Sequence, residues 1–134
     1  MTYYVLDSNI IAKILRSDPL VMQRFQQALA NEEDDFFACP MVYFEVRRGL
    51  IARDARKQFA NFELIYSDFL WQDYLREDWQ KAAELWALRR QLGRPIADAD
   101  LLIVAFTINR DGVLVTNNTA DFDQLGAKLE DWTI

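Results

Sequence analysis

Apolar runs of strand length return along this chain at intervals filled by helix-patterned sequence, and that alternation limits the fold more than any other feature. Residues 3–6, 36–39 and 113–116 are short aromatic or β-branched runs that read as strands, and residues 63–66 (Glu63, Leu64, Ile65, Tyr66) read as another. The stretches between them are too long for hairpins. Ile10, Ile11, Ile14 and Leu15 keep helical spacing up to the break at Ser17-Asp18-Pro19, and Val21, Phe25, Ala28 and Leu29 repeat the pattern. Strands joined through helices pair in parallel and are covered on both faces, so the expected fold is α/β with a mostly parallel central sheet. At 134 residues the chain accommodates one domain, residues 1–134, around one core.

Acids fall at telling places in this pattern. Asp7 stands where the first apolar run stops, before Ser8, Asn9 and the next helix. Ligands of open parallel sheets bind in the crevice beyond the carboxyl ends of the strands, but an aspartate before a helix is equally well explained as its cap. Pro40 opens a helix over residues 41–51, and Glu45 lies in the middle of its apolar stripe of Met41, Val42, Val46 and Gly49. An acid on a packing face either pairs with Arg48, three residues on, or faces an enclosed polar site.

The longest helix is expected from Trp71 to Leu92, with Trp71, Leu75, Trp79, Ala82 and Trp86 as a stripe suited to the core or to a dimer face, and Gly93 as its stop. Ala97-Asp98-Ala99-Asp100 then opens a helix reaching Asn109 that is apolar on nearly every side and therefore buried. Asp98 serves as its N-cap, which leaves Asp100 in the first turn without such an explanation. Residues 117–122 form a polar loop after the fourth strand, Phe122 and Leu125 fold back onto the core, and residues 128–132 add a fifth strand.

Composition removes several chemistries. The chain has no histidine, which excludes Ser-His-Asp triads, Cys-His nucleophiles and His-ligated zinc. Cys39 is the single cysteine and reads as a small buried hydrophobe. No stretch approaches the ~20 apolar residues of a membrane span, and Met1-Thr2 leads into the first strand without a basic region or cleavage site, so no membrane association and a cytoplasmic location are expected. Fifteen Lys and Arg against 21 Asp and Glu give a net charge of −6, which argues against indiscriminate adhesion to nucleic acid. Local basic runs remain at Arg47, Arg48, Arg53, Arg56 and Lys57 and at Arg89, Arg90 and Arg94.

Carboxylates are therefore the expected chemists. In a parallel sheet the carboxyl ends of the strands share one rim, where Asp7, Asp100, Glu45 and Asp121 can meet. Carboxylates gathered in one place repel unless a cation neutralises them, and an oxygen-only site selects a hard ion such as Mg²⁺ or Mn²⁺. Such an ion activates water and stabilises charge on phosphorus oxygens, which suits phosphodiester hydrolysis. Acids at strand ends also occur in small-molecule phosphatases and phospho-accepting receivers, and an inactive interaction module whose acids are helix caps is a third alternative.

The order and spacing of Val5-Leu6-Asp7-Ser8-Asn9, of Glu45 with Arg48-Gly49, of residues 95–105 from Pro95 through Asp100, of Leu114-Val115-Thr116-Asn117-Asn118 with Asp121-Phe122, and of Leu129-Glu130-Asp131-Trp132 resemble a PIN domain over essentially the whole chain. Within that group the chain is similar to the VapC toxins of type II toxin-antitoxin systems. The resemblance implies a three-layer α/β/α sandwich and Mg²⁺-dependent endoribonuclease activity on structured RNA such as transfer RNA. It implies Asp7, Glu45 and Asp100 as the catalytic, metal-binding acids, and Ser8 and Thr116 as hydroxyls that orient carboxylates or water. Many PIN domains carry a fourth aspartate where this chain has Asn118, and either Asn118 or Asp121 fills that position here. A VapB-type antitoxin and a homodimer are implied as well.

Overall fold

The computed structural model describes residues 1–134. Strand β1 (Tyr3–Leu6) leads into helices α1 (Ser8–Leu15) and α2 (Pro19–Ala30), and β2 (Asp35–Ala38) leads into α3 (Pro40–Ala52) and α4 (Arg56–Ser67). After β3 (Leu70–Trp71) come α5 (Arg76–Gln91) and α6 (Asp98–Asn109), then β4 (Val113–Val115), a 3₁₀ turn (Thr119–Phe122) and β5 (Lys128–Glu130). All neighbouring strands pair in parallel, in the order β3-β2-β1-β4-β5.

Consecutive residues Val5 and Leu6 on β1 are both buried, as are Leu114 and Val115 on β4. Because successive strand residues point to opposite faces, helices must cover both sides of the sheet, giving a three-layer α/β/α sandwich. Aromatic contacts run across the strands, with Tyr3 stacked on Phe37 at 4.6 Å and Phe36 on Phe69 at 4.9 Å between centroids. Helix α6 is buried from Leu101 through Thr107, as its all-round apolar sequence predicts. Phe122, Leu125 and Trp132 fold back onto the core, and Cys39 is buried among hydrophobic residues.

Three local expectations are corrected. Residues 63–66 are the end of α4 rather than a strand. Phe62 and Tyr66, four residues apart, turn to the core together while Leu64 is 69% exposed, so tertiary packing imposes the helical period on a β-prone tetrapeptide. The third strand is instead Leu70–Trp71, paired with Phe37 and Ala38. Trp71 therefore lies outside the long helix, which begins only at Arg76. Leu75 is its N-cap, its N–H donating to Asp78 Oδ2 at 2.8 Å. Ala82 and Leu85 reach the core from α5, whereas Trp79 and Trp86 remain 54% and 46% exposed. Asp98 is the first residue inside α6 rather than its cap; Ala97 holds the cap position, with no side-chain bond to the helix.

Strand order positions the site. The chain runs from β1 outward through β2 to β3, then crosses back to place β4 on the other side of β1. The direction of winding reverses between β1 and β4, and at such a switch point a crevice opens beyond the carboxyl ends of the strands. Asp7 and Thr116 are the first residues past those two ends.

Candidate active site

Asp7 is held from two sides. Its backbone N–H donates to the Val115 carbonyl at 2.9 Å, extending the β1–β4 ladder by one residue, and its carbonyl accepts from Ile10 and Ile11 to start α1. One carboxylate oxygen accepts from the Ser8 N–H at 2.8 Å and the other from the Thr116 hydroxyl at 2.9 Å. The capping role is thus real, and it accounts for only one of the two oxygens. Asp7 is 5% exposed, and all its hydrogen-bond donors are neutral.

The other acids converge on it from the helices. Glu45 rides on the second turn of α3 and Asp100 on the first turn of α6. Burial raises the Glu45 pKa, and the charges of Asp7 and Asp100 raise it further against the opposing pull of Arg48. Burial likewise raises Asp100, followed by the charges of Asp7 and Asp121. Asp7 is raised by burial, with the bonds from Thr116 and Ser8 working the other way. Burial is thus the first cause at all three acids, and mutual repulsion adds to it at Glu45 and Asp100.

Ser8 and Thr116 both lie against the Asp7 carboxylate. The Ser8 side chain acts on both Asp7 and Glu45, lowering the pKa of each. Thr116 is fully buried, and its hydroxyl gives a hydrogen bond to Asp7 while accepting one from the Asn118 N–H at 3.1 Å. The side chain of Asn118 is exposed, so its backbone buttresses the hydroxyl, and Asp121, from the 3₁₀ turn, is the acid that acts on Asp100.

The oxygens suit a hard cation. Glu45 Oε1 is buried with no hydrogen-bond partner, and the only base near its carboxylate is Arg48 at 3.9 Å. A buried carboxylate oxygen without a partner is costly, and a cation is the partner that its acidic neighbours leave open. The acids face one another across the crevice without closing into a three-acid cage. An ion placed there would keep several waters in its shell, as Mg²⁺ does.

Beside the acids lies a second feature that the sequence did not reveal. A groove of about 320 Å³ opens from Ser8 and Glu45 between α1, α3 and α4, and Arg16, Arg48 and Arg53 line it. Arg47 and Arg89, both basic positions of the sequence, face elsewhere: Arg47 pairs with Glu63, and Arg89 is buried, donating to the carbonyls of Arg94 and Asp123.

The sequence pattern of the PIN domain matches residues 4–128. Ribonuclease VapC1 of Haemophilus influenzae strain R2866 is 28% identical over 134 residues, covering 97% of this chain and 98% of the relative. The same backbone is found in VapBC2 from Rickettsia felis bound to a DNA fragment from its promoter, at a TM-score of 0.87 and 22% identity, covering 98% of this chain and 99% of that one. VapBC-1 from nontypeable Haemophilus influenzae follows it at a TM-score of 0.82 and 23% identity, covering 99% and 100%. Matched to that pattern from residue 4 to residue 128, this chain belongs to the PIN domain family.

Proposed function

We propose that the chain is a metal-dependent endoribonuclease that acts as a toxin and is held in check by a VapB-type antitoxin. The observation that carries this reading is the meeting of Asp7, Glu45 and Asp100 at the β1–β4 switch point, each with a raised pKa and one with an unpartnered buried oxygen. The names of the similar proteins, a ribonuclease VapC1 and two VapBC complexes, support the substrate class and the partner.

Asp7, Glu45 and Asp100 would hold Mg²⁺ or Mn²⁺, and the ion would supply an activated water and charge stabilisation on the phosphodiester. Ser8 and Thr116 fix the Asp7 carboxylate, one from the backbone of α1 and the other from the end of β4. Asp121 adds negative charge beside Asp100 and stands in for the acid that Asn118 does not provide. Structured RNA, with transfer RNA as the leading case, is the proposed substrate, and a homodimer the proposed assembly.

The receiver alternative loses ground on one contact. A receiver needs a lysine beside its acids, and Lys128, the first lysine after β4, binds Asp111 at 2.8 Å at the amino ends of β4 and β5, opposite the acidic rim. The test is cleavage of total cellular RNA by the purified chain with Mg²⁺, with EDTA, and with Asp7→Asn. Discrete fragments that require both the ion and Asp7 are the expected result. Absence of cleavage by the folded wild-type chain under every condition overturns the reading.

A further inference from the structure

The basic groove beside Glu45 differs in kind from the other concavities of the molecule. The groove between α5 and α6 is walled by Trp79 and Trp86 and carries Asp98 as its only charge. The hollow between α3 and α4 balances Arg56 against Asp54, and the one near the chain's end sets Arg24 against Asp34 and Glu130. The groove at Glu45 holds three guanidiniums, from Arg16, Arg48 and Arg53, against one carboxylate, in a chain whose net charge is −6.

Two of those guanidiniums are uncommitted. Arg16 and Arg53 stand at the C-caps of α1 and α3, exposed, and neither forms an ion pair with an acid. Arg53 extends over Gly49, where an added Cβ would lie 3.5 Å from its Nη1, so the absent side chain leaves that part of the groove open. At its inner end the groove passes from donors to acceptors. The two buried side-chain oxygens of the whole molecule that lack a partner, Asn9 Oδ1 and Glu45 Oε1, both belong to residues lining this groove.

We infer that this groove receives the phosphate backbone of the RNA strand flanking the scissile phosphate, with Arg16 and Arg53 gripping a phosphate and Glu45 at the groove's inner end, where it meets the acids. The inference rests on the endoribonuclease reading and adds to it the path of the strand. Guanidinium groups bind phosphate as forked, charge-assisted donors, and two of them on separate helices fix a strand's direction as well as its position. Because the rest of the surface is predominantly acidic, the groove also explains how a chain of negative net charge holds an anionic polymer.

The test is binding of fluorescein-labelled unfractionated transfer RNA in EDTA, followed by anisotropy across a salt series, alongside cleavage in Mg²⁺. Arg16→Gln and Arg53→Gln are each expected to raise Kd roughly tenfold and to reduce the slope of log K against log salt by about 0.7 to 0.9. KM rises with kcat little changed, and Arg53→Lys restores the slope. Arg90→Gln, whose guanidinium lies over Trp86 on α5, leaves Kd and slope as in the wild type. Unchanged Kd and slope in both groove variants, with cleavage intact, overturn the groove and leave the nuclease standing. The same overturning follows if the variants bind RNA normally and lose only neutralisation by the antitoxin. A wild-type chain that neither binds nor cuts RNA removes the ribonuclease reading itself.

Discussion

Thr116 and Asp7 lie 109 positions apart in the sequence and are joined by a buried hydrogen bond of 2.9 Å across the β1–β4 seam. The same hydroxyl accepts from the Asn118 N–H, so its proton is directed at the carboxylate and has no competing use. Thr116→Val keeps the shape and leaves Asp7 Oδ2 without its donor. Activity is expected to fall ~10–100-fold, the range of losses for partners of metal ligands. The acidic limb of the pH–rate profile should move to higher pH, because a bond that lowers the Asp7 pKa has gone. Thr116→Ser should restore both.

A second consequence concerns charge. Asp7, Glu45 and Asp100 all have raised pKa values, so the native chain binds protons more readily than the unfolded one. Their contribution to stability is therefore lost as pH rises from the unfolded to the native pKa, and at neutral pH the metal-free fold carries the full cost of burying these charges, with repulsion added at Glu45 and Asp100. Glu45→Gln removes one charge while forfeiting the long contact to Arg48 and the charged form's contact with Ser8. It should raise the melting temperature in EDTA at pH 7 and reduce the further rise that Mg²⁺ produces in the wild type. A lower melting temperature in EDTA would show that Glu45 is stabilising as an anion.

Removing an acid outright bears on the ion directly. Asp100→Asn should leave the circular dichroism spectrum and the fold unchanged while cleavage drops by more than the ~100-fold attributable to an outer partner. Asp121→Asn acts on Asp100 through charge alone and should raise the Mg²⁺ concentration needed for half-maximal cleavage. Calorimetric titration with Mg²⁺ distinguishes the two, since only the first should abolish measurable binding.

A contrasting aspartate supplies the control. Asp78 is as buried as Asp7, but it accepts from Arg110 at 2.9 and 3.0 Å, from Asn109 at 2.9 Å and from the Leu75 N–H at 2.8 Å. Burial pushes its pKa up, and these donors outweigh burial and hold it low. Its stabilising contribution is present above the unfolded pKa and lost as pH falls through the native one, the reverse of the site acids. Arg110→Met strands a buried carboxylate and should cost about 3–5 kcal/mol in urea denaturation. A cost below 1 kcal/mol would mean that the pair is dispensable.

These two aspartates also show how far the sequence could be read. Asp7 was legible because it ends an apolar run, Glu45 because it interrupts an apolar stripe, and Asp100 because one cap cannot use two acids. The parallel sheet followed from alternation alone. Glu63-Leu64-Ile65-Tyr66 misled because its β-prone residues are set in a helix by partners distant in sequence, with Glu63 paired to Arg47. Leu70–Trp71 gave no signal, being two exposed residues placed by backbone pairing with β2 and by the edge-on contact of Trp71 with Tyr43. Arg16 was invisible as a site residue. It follows the last turn of α1, and the opposite wall of its groove arrives with Arg48 and Arg53, more than thirty residues later.

The seam between β1 and β4 has a bearing on when, during synthesis, the site takes shape. β1 is the central strand of the sheet, and its partners on one side are residues 113–115. While the ribosome is still extending the chain short of Thr116, Asp7 has emerged with neither its ladder neighbour nor the hydroxyl that aims it. The site therefore takes its final shape only once residues 113–116 have been made, later than Asp7, Glu45 and Asp100 themselves.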